Sequence, residues 1–190
     1  MSRIETLRKN YQRICGMPWD RNVAGSQRVW IAVYDKEDER KLRLQIGMFE
    51  EATLAVGHHW HRFDVTDTFA DWFLHPDNAG YAESYFESPE LLDDAPLARF
   101  QDAIASQIVS GIDSLDKPDE TVVAITGVAS LFGFTRISQV IPLVEPHIKG
   151  RLLVFFPGTF ENNNYRLLDA RDGWNYLAVP ITTQEGELRG

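Results

Sequence analysis

Three runs of the chain are apolar at every position or nearly so: RVWIAVY over residues 28–34, TVVAIT over 121–126 and RLLVFF over 151–156. A strand with one face in water alternates apolar with polar residues, so runs without alternation predict strands covered on both faces. Such strands belong to parallel sheets, and the segments between these runs carry the helices that would cover them. Ile4, Leu7, Tyr11 and Ile14 recur at helical spacing, as do Leu42, Ile46 and Phe49, and Leu97, Phe100, Ile104 and Ile108. The expected fold is α/β: three layers, a mainly parallel sheet of about five strands, and helices on both faces.

In chain order, the pattern predicts a basic helix that stops near Gly16 and Pro18, with residues 1–27 as helix and connector, then a strand over 28–34 and a helix over 38–56. A second strand follows over 59–65, then a short helix over 66–74 capped by Thr66 or Asp67 and stopped by Pro76. An acid- and tyrosine-rich loop comes next, followed by a helix over 89–112, the strand 121–126 and a helical segment including 136–144. After the strand 151–156, closed by Pro157 and Gly158, a polar turn leads to a short helical stretch through Leu168, a fifth strand over 174–181 and a frayed tail over 182–190. No repeat or linker interrupts this series, which predicts one domain over 1–190.

Composition excludes several classes. No apolar run approaches the roughly 20 residues that span a bilayer, and no signal-peptide core opens the chain, so a soluble, cytoplasmic protein is expected. The single Cys15 supplies neither an internal disulfide nor a cysteine-rich zinc site. Residues 76–120 hold two basic and eleven acidic side chains and so carry the whole net charge of −9. A face of that sign repels phosphate backbones, whereas Arg3, Arg8, Lys9, Arg13, Arg21 and Arg28 form a basic front end that would bind nucleic acid only with steep salt dependence.

In parallel sheets, ligands sit beyond the carboxyl ends of the strands. The residues at those places are Asp35, Asp64, Asp67, Thr126 and Gly127. Acids converging there would hold magnesium; acids used as turn and helix caps would not. The turn that begins at Gly127 lacks the phosphate-loop chemistry, because Gly133 is followed by Phe134 rather than by Lys and Ser or Thr. His59 and His61 alternate onto one strand face, but a zinc site needs a third ligand, for which the sequence offers only scattered candidates such as Asp64 or His147. The residues assign no cofactor and no metal.

The stretch RLLVFFPGTFENNNYRLLDARDGWNYLAVP, residues 151–180, is the most distinctive. It sets Glu161, Asn162, Asn163, Asn164, Arg166, Asp169, Arg171 and Asp172 among Tyr165 and Trp174. Asn and Asp suit turns, and Arg–Asp pairs knit loops together. The same mixture of rigid aromatics and arginines also suits a protein-recognition surface.

The segments RVWIAVYDKEDE, TGVASLF and LLVFFPGTFENNNYRLLDARDGWNYLAVPI resemble the BrxB family, a small component of bacterial BREX (bacteriophage exclusion) defence systems, over about residues 28–181. The resemblance implies a cytosolic prokaryotic protein that works beside a large ATPase, an adenine-specific DNA methyltransferase and the alkaline-phosphatase-like protein PglZ, with no catalytic residue to carry over. The reading that follows is a non-enzymatic interaction subunit that docks a PglZ-like protein. Its alternative is a metal- or nucleotide-dependent phosphoryl-transfer or hydrolase domain that uses Asp35, Asp64 and Glu161.

Overall fold

The computed structural model describes residues 1–91 and 94–184. Its elements are α1 (Arg3–Cys15), β1 (Val29–Tyr34), α2 (Glu39–Ala55), β2 (His59–Asp64), α3 (Thr68–Phe73), α4 (Ala79–Glu87), α5 (Asp94–Asp113), β3 (Thr121–Thr126), α6 (Ile137–Val144), β4 (Arg151–Glu161), β5 (Asn164–Leu167), β6 (Trp174–Asn175) and β7 (Val179–Ile181). Strands β2-β3-β4-β1-β7 run parallel in that order, and β5 and β6 add an antiparallel flap to the far half of β4. The fold is therefore α/β with a mainly parallel five-strand core.

The unalternating strands are buried on both faces, as their composition requires. Trp30, Ala32, Tyr34, Val122, Ala124, Leu153 and Phe155 point one way and pack under α1 and α2, with Leu7, Tyr11, Leu42 and Phe49. Ile31, Val33, Val123, Ile125, Leu152, Val154 and Phe156 point the other way, against Phe100, Ile104 and Ile108 of α5 and Val140, Ile141 and Val144 of α6. Burying one such side chain contributes about 1.5–3 kcal/mol, so these two layers dominate stability. Helix α1 begins with a capping box, in which Ser2 Oγ accepts from the Glu5 amide and the Glu5 carboxylate accepts from the Ser2 amide. Among the described residues no helix is long and apolar enough to cross a membrane.

Several local expectations are corrected. The acid- and tyrosine-rich loop contains a helix, α4, in which no residue is buried; ring contacts such as Trp72 with Tyr81 and Phe73 with Tyr85 hold it. The helix expected over 89–112 is a 3₁₀ turn at Pro89–Leu91 followed by α5 from Asp94, and residues 92–93 lie outside the described residues. Asp67 stands at the start of α3, but its side chain caps nothing.

Strand β4 does not stop at Phe156. Pro157 has no amide to donate, yet its carbonyl accepts from the Leu168 amide at 2.8 Å, and Gly158 has no Cβ to strike the Arg166 carbonyl. The strand thus leaves the parallel sheet and continues as one arm of a hairpin. The helical stretch expected before Leu168 is its other arm, β5, because Asn162 and Asn163 both take positive φ, 51° and 61°, and close a two-residue turn. The fifth strand expected over 174–181 splits into β6 and β7, because β6 pairs with the flap while β7 returns to β1. Within the expected frayed tail, the Thr182 and Gln184 carbonyls accept from Asn10 Nδ2, each at 2.9 Å; residues 185–190 lie outside the described residues.

Candidate functional site

The flap carries the distinctive stretch. Its hairpin tip is set by the two asparagines, a residue type that tolerates the left-handed region better than others do. Glu161, Asn162, Asn163, Asn164 and Arg166 are exposed around that tip. No side chain of these five makes a hydrogen bond or ion pair among the described residues. Tyr165 departs from the expected surface: alternation turns it inward, where it is buried, donates to the Ala178 carbonyl at 3.3 Å and packs against Phe156, Phe160 and Trp174. Burial raises its phenol above the ordinary value. Tyr165 is thus the anchor that makes the flap a fixed platform.

The rest of the stretch divides. Asp169 pairs with Lys36 after β1, and Asp172 pairs with Arg136 at 3.4 Å; both are exposed pairs between the flap and neighbouring loops. Trp174 stacks on Tyr176 with ring centroids 4.6 Å apart, and the Tyr176 hydroxyl donates to the Glu145 carboxylate. Arg171 is exposed and has no ion pair among the described residues.

Between the flap and the β3–α6 connection lies a cleft of about 720 Å³. Phe156 and Tyr165 form its floor, Phe134 and Trp174 its walls, and Phe132, two arginines, Arg136 and Arg171, and two acids, Asp94 and Asp172, its rim. Sequence reasoning missed Phe132, Phe134 and Arg136. The cleft joins two loops that lie some thirty residues apart in the chain, and the only signal for it was the polar-aromatic segment that follows Gly133.

The carboxyl-edge residues do not gather. Asp35 lies in a groove of about 360 Å³ with Lys36, Thr159, Glu161 and Asp169, and its carboxylate meets Arg3 at 3.3 Å. Asp64, Thr126 and Gly127 line a separate pocket of about 120 Å³ with Tyr34, Glu39 and Arg43. There Asp64 accepts from the Thr66 amide at 3.1 Å and hydroxyl at 2.5 Å, an Asx turn, while Gly127 sits at φ 81° where a Cβ would collide with these same atoms. Asp67 lines neither. Asp35 follows β1 and Asp64 follows β2, and the order β2-β3-β4-β1 sets them three strand spacings apart, roughly 14 Å. Among the described residues no three His, Cys, Asp or Glu side chains form a metal-ligand group.

The histidines are dispersed as well. His58 stacks on Trp19 with centroids 3.6 Å apart, His59 lies 3.8 Å from Glu120, and His61 meets the edge of Phe63. The basic front end is partly consumed: Arg3 pairs with Asp35 and with the buried Asp38 at 2.7 Å, and Arg28 donates to the carbonyls of Ile148 and Arg21. Asp38 sits below the usual carboxylate range; burial alone would raise it, but its hydrogen bonds and charge contacts with Arg3 and Lys41 prevail.

A family model described as BREX protein BrxB matches residues 78–181, more than half of the chain. The matched segment holds α4, α5, β3, α6, β4 and the flap. No curated protein and no solved structure matches the chain.

Proposed function

The chain belongs to the BrxB family of BREX phage-defence components, and from that premise we propose that it is a non-catalytic docking subunit that holds a PglZ-like partner in the cytoplasm. The flap on the carboxyl edge is the docking surface. What carries this reading is the contrast within β5: Tyr165 is locked into the core, while its neighbours Asn164 and Arg166 and the tip residues Glu161 to Asn163 point outward with no internal partner among the described residues. On a fixed frame the backbone has no freedom left to lose when a partner meets it, so only the ordering of the side chains opposes binding. The separation of Asp35 from Asp64 and the engagement of Asp64 in a turn speak against a hydrolase centre built from these acids with Glu161.

The mechanism is positioning. The partner enzyme supplies the chemistry, and the BREX ATPase and methyltransferase are the alternative occupants of the same face. The test is calorimetric titration with the PglZ-like protein, using wild-type chain and the double variant Asn163→Gly with Arg166→Ala. Glycine at 163 removes the side chain while retaining the positive φ that alanine would strain. The variant is expected to lose partner binding with its melting temperature unchanged; undiminished binding would remove the flap tip from the interface.

A further inference from the structure

A groove of about 520 Å³ lies between α3 and α5 and shares no residue with the flap cleft. Its floor is apolar: Phe100 and Ile104 are buried, and the half-buried Trp72 ring lies 5.4 Å from that of Phe100. Its charged side chains are all acidic, since Asp71 and Asp77 line it and no Lys or Arg does. His75, which also lines it, accepts from the Asp77 amide through Nδ1 at 3.3 Å and so has no proton there to give the Asp77 carboxylate. The Asp71 carboxylate makes no hydrogen bond or ion pair among the described residues. Arg99, the nearest base along the chain, lies over the Tyr81 ring, 6.0 Å from its centroid, and does not line the groove. The same sign extends through the neighbouring sequence, where residues 63–98 hold nine acids and no Lys or Arg. Apolar side chains stand in water there too: Leu74 after α3 is 67% exposed, and Phe86 of α4, whose ring meets that of Phe73, is 70% exposed.

Charge and shape together decide the occupant. A stretch of acids without a base repels nucleic acid, an anionic membrane and the same face of a second copy. Two carboxylates without a third ligand suit an ammonium or guanidinium group, whose alkyl stem lies along a ring such as Trp72. The groove has room for more than one side chain, as successive anchors on one face of a helix require. We propose that it seats a basic amphipathic helix of another protein, with apolar side chains on Trp72, Phe100 and Ile104 and Lys or Arg side chains on Asp71 and Asp77. This surface is separate from the flap, and the inference does not rest on the docking reading above.

The probe is a synthetic peptide of leucine and lysine patterned as one amphipathic helix. It is compared with a peptide in which every lysine is glutamate and with one in which every leucine is serine. Binding to the full chain is followed by calorimetry and by amide and indole shifts in heteronuclear NMR. The leucine–lysine peptide is expected to bind at about 10–100 μM, moving the Trp72 indole and the amides of 68–78 and 100–107, the serine peptide about tenfold more weakly and the glutamate peptide not at all. Asp71→Asn with Asp77→Asn should weaken binding about tenfold, whereas the same charge change on α2, Glu50→Gln with Glu51→Gln, should alter it by less than about twofold. Ala103→Trp, which fills the groove, should abolish the groove shifts, and Asn163→Gly with Arg166→Ala should leave them intact. Shifts absent from the groove, equal affinity for the serine or glutamate peptide, or equal weakening by the α2 variant would overturn the proposal. So would a dimer of the wild-type chain that Ala103→Trp dissolves, since a second copy would then occupy the groove.

Discussion

The two edges of the parallel sheet use arginine in opposite ways. At the amino edge, Arg151 begins β4 with only 6% of its surface exposed, donates to the Gly150 and Asp20 carbonyls at 3.0 and 3.1 Å, and lies over the rings of Trp19 and Trp30. Burial, with Arg28 nearby, pushes its guanidinium down from the ordinary value, and carbonyl acceptors with two ring faces compensate the lost hydration. At the carboxyl edge, Arg166 and Arg171 reach into solvent and Arg136 is tied only to an exposed acid. The amino edge is closed by its own backbone; the carboxyl edge leaves the same chemistry open to another molecule. An arginine's role here follows from whether carbonyls and rings meet it inside the fold.

The comparison breaks most readily at Arg151. Arg151→Ala should lower unfolding free energy by about 3 kcal/mol in urea, since it strips two hydrogen bonds and the cation–π contacts from a buried site, while Arg166→Ala should change it by less than about 0.5 kcal/mol. Similar costs at the two positions would erase the distinction between closed and open edges. Next comes Tyr165→Phe, which removes only the hydroxyl bonded to Ala178 and should cost about 1 kcal/mol, measured the same way. A cost near zero would mean the flap is not anchored there.

A smaller effect is expected at the hairpin tip. Asn163→Ala forces alanine to φ 61° and should destabilise by up to about 1 kcal/mol relative to Asn163→Gly; equal stabilities would show that the turn is free to rearrange. The smallest concerns the amino edge again. Burial pushes the His58 imidazolium down, and Arg151 adds to this against the carbonyls of Glu120 and Cys15. A histidine with a depressed folded value binds fewer protons folded than unfolded, so stability should fall as pH drops below about 6.5, the unfolded value. His58→Gln should flatten that decline in thermal melts between neutral and mildly acidic pH; an unchanged slope would show that His58 is as hydrated as the residues of the open edge.

How much of this was legible in the sequence depends on how far apart the determinants lie. Strands β1, β3 and the first half of β4 were readable because residues such as Ile31, Ile125 and Val154 fill both faces without alternation. Helices α1, α2 and α5 were readable because one stripe of each meets the sheet. Helix α4 was not, since none of its residues is buried and no core-facing stripe marks it. Strand β5 was hidden by its brevity and by three asparagines that read as a turn, of which two make the turn and the third opens the strand.

The site was legible in part for the same reason. The turn and outward residues of the flap are local in sequence, and Asn162, Asn163 and Arg166 stand where a polar loop would put them. Tyr165 was misassigned to the surface because inward and outward positions alternate once β5 is a strand. Asp35 and Asp64 were gathered on one edge by reasoning that had no strand order, and the order β2-β3-β4-β1 parts them. The cleft depends on α6 and the flap meeting across the end of β4, a contact that no local pattern records.

The measurement that bears most directly on the docking account is the mass, by light scattering after size exclusion, of the chain co-expressed with a PglZ-like protein, run for wild type and for Asn163→Gly with Arg166→Ala. The account predicts a stable complex for the wild type and two separate, folded proteins for the variant. Separate elution of the wild-type proteins, or a complex of undiminished mass and yield with the variant, would contradict it.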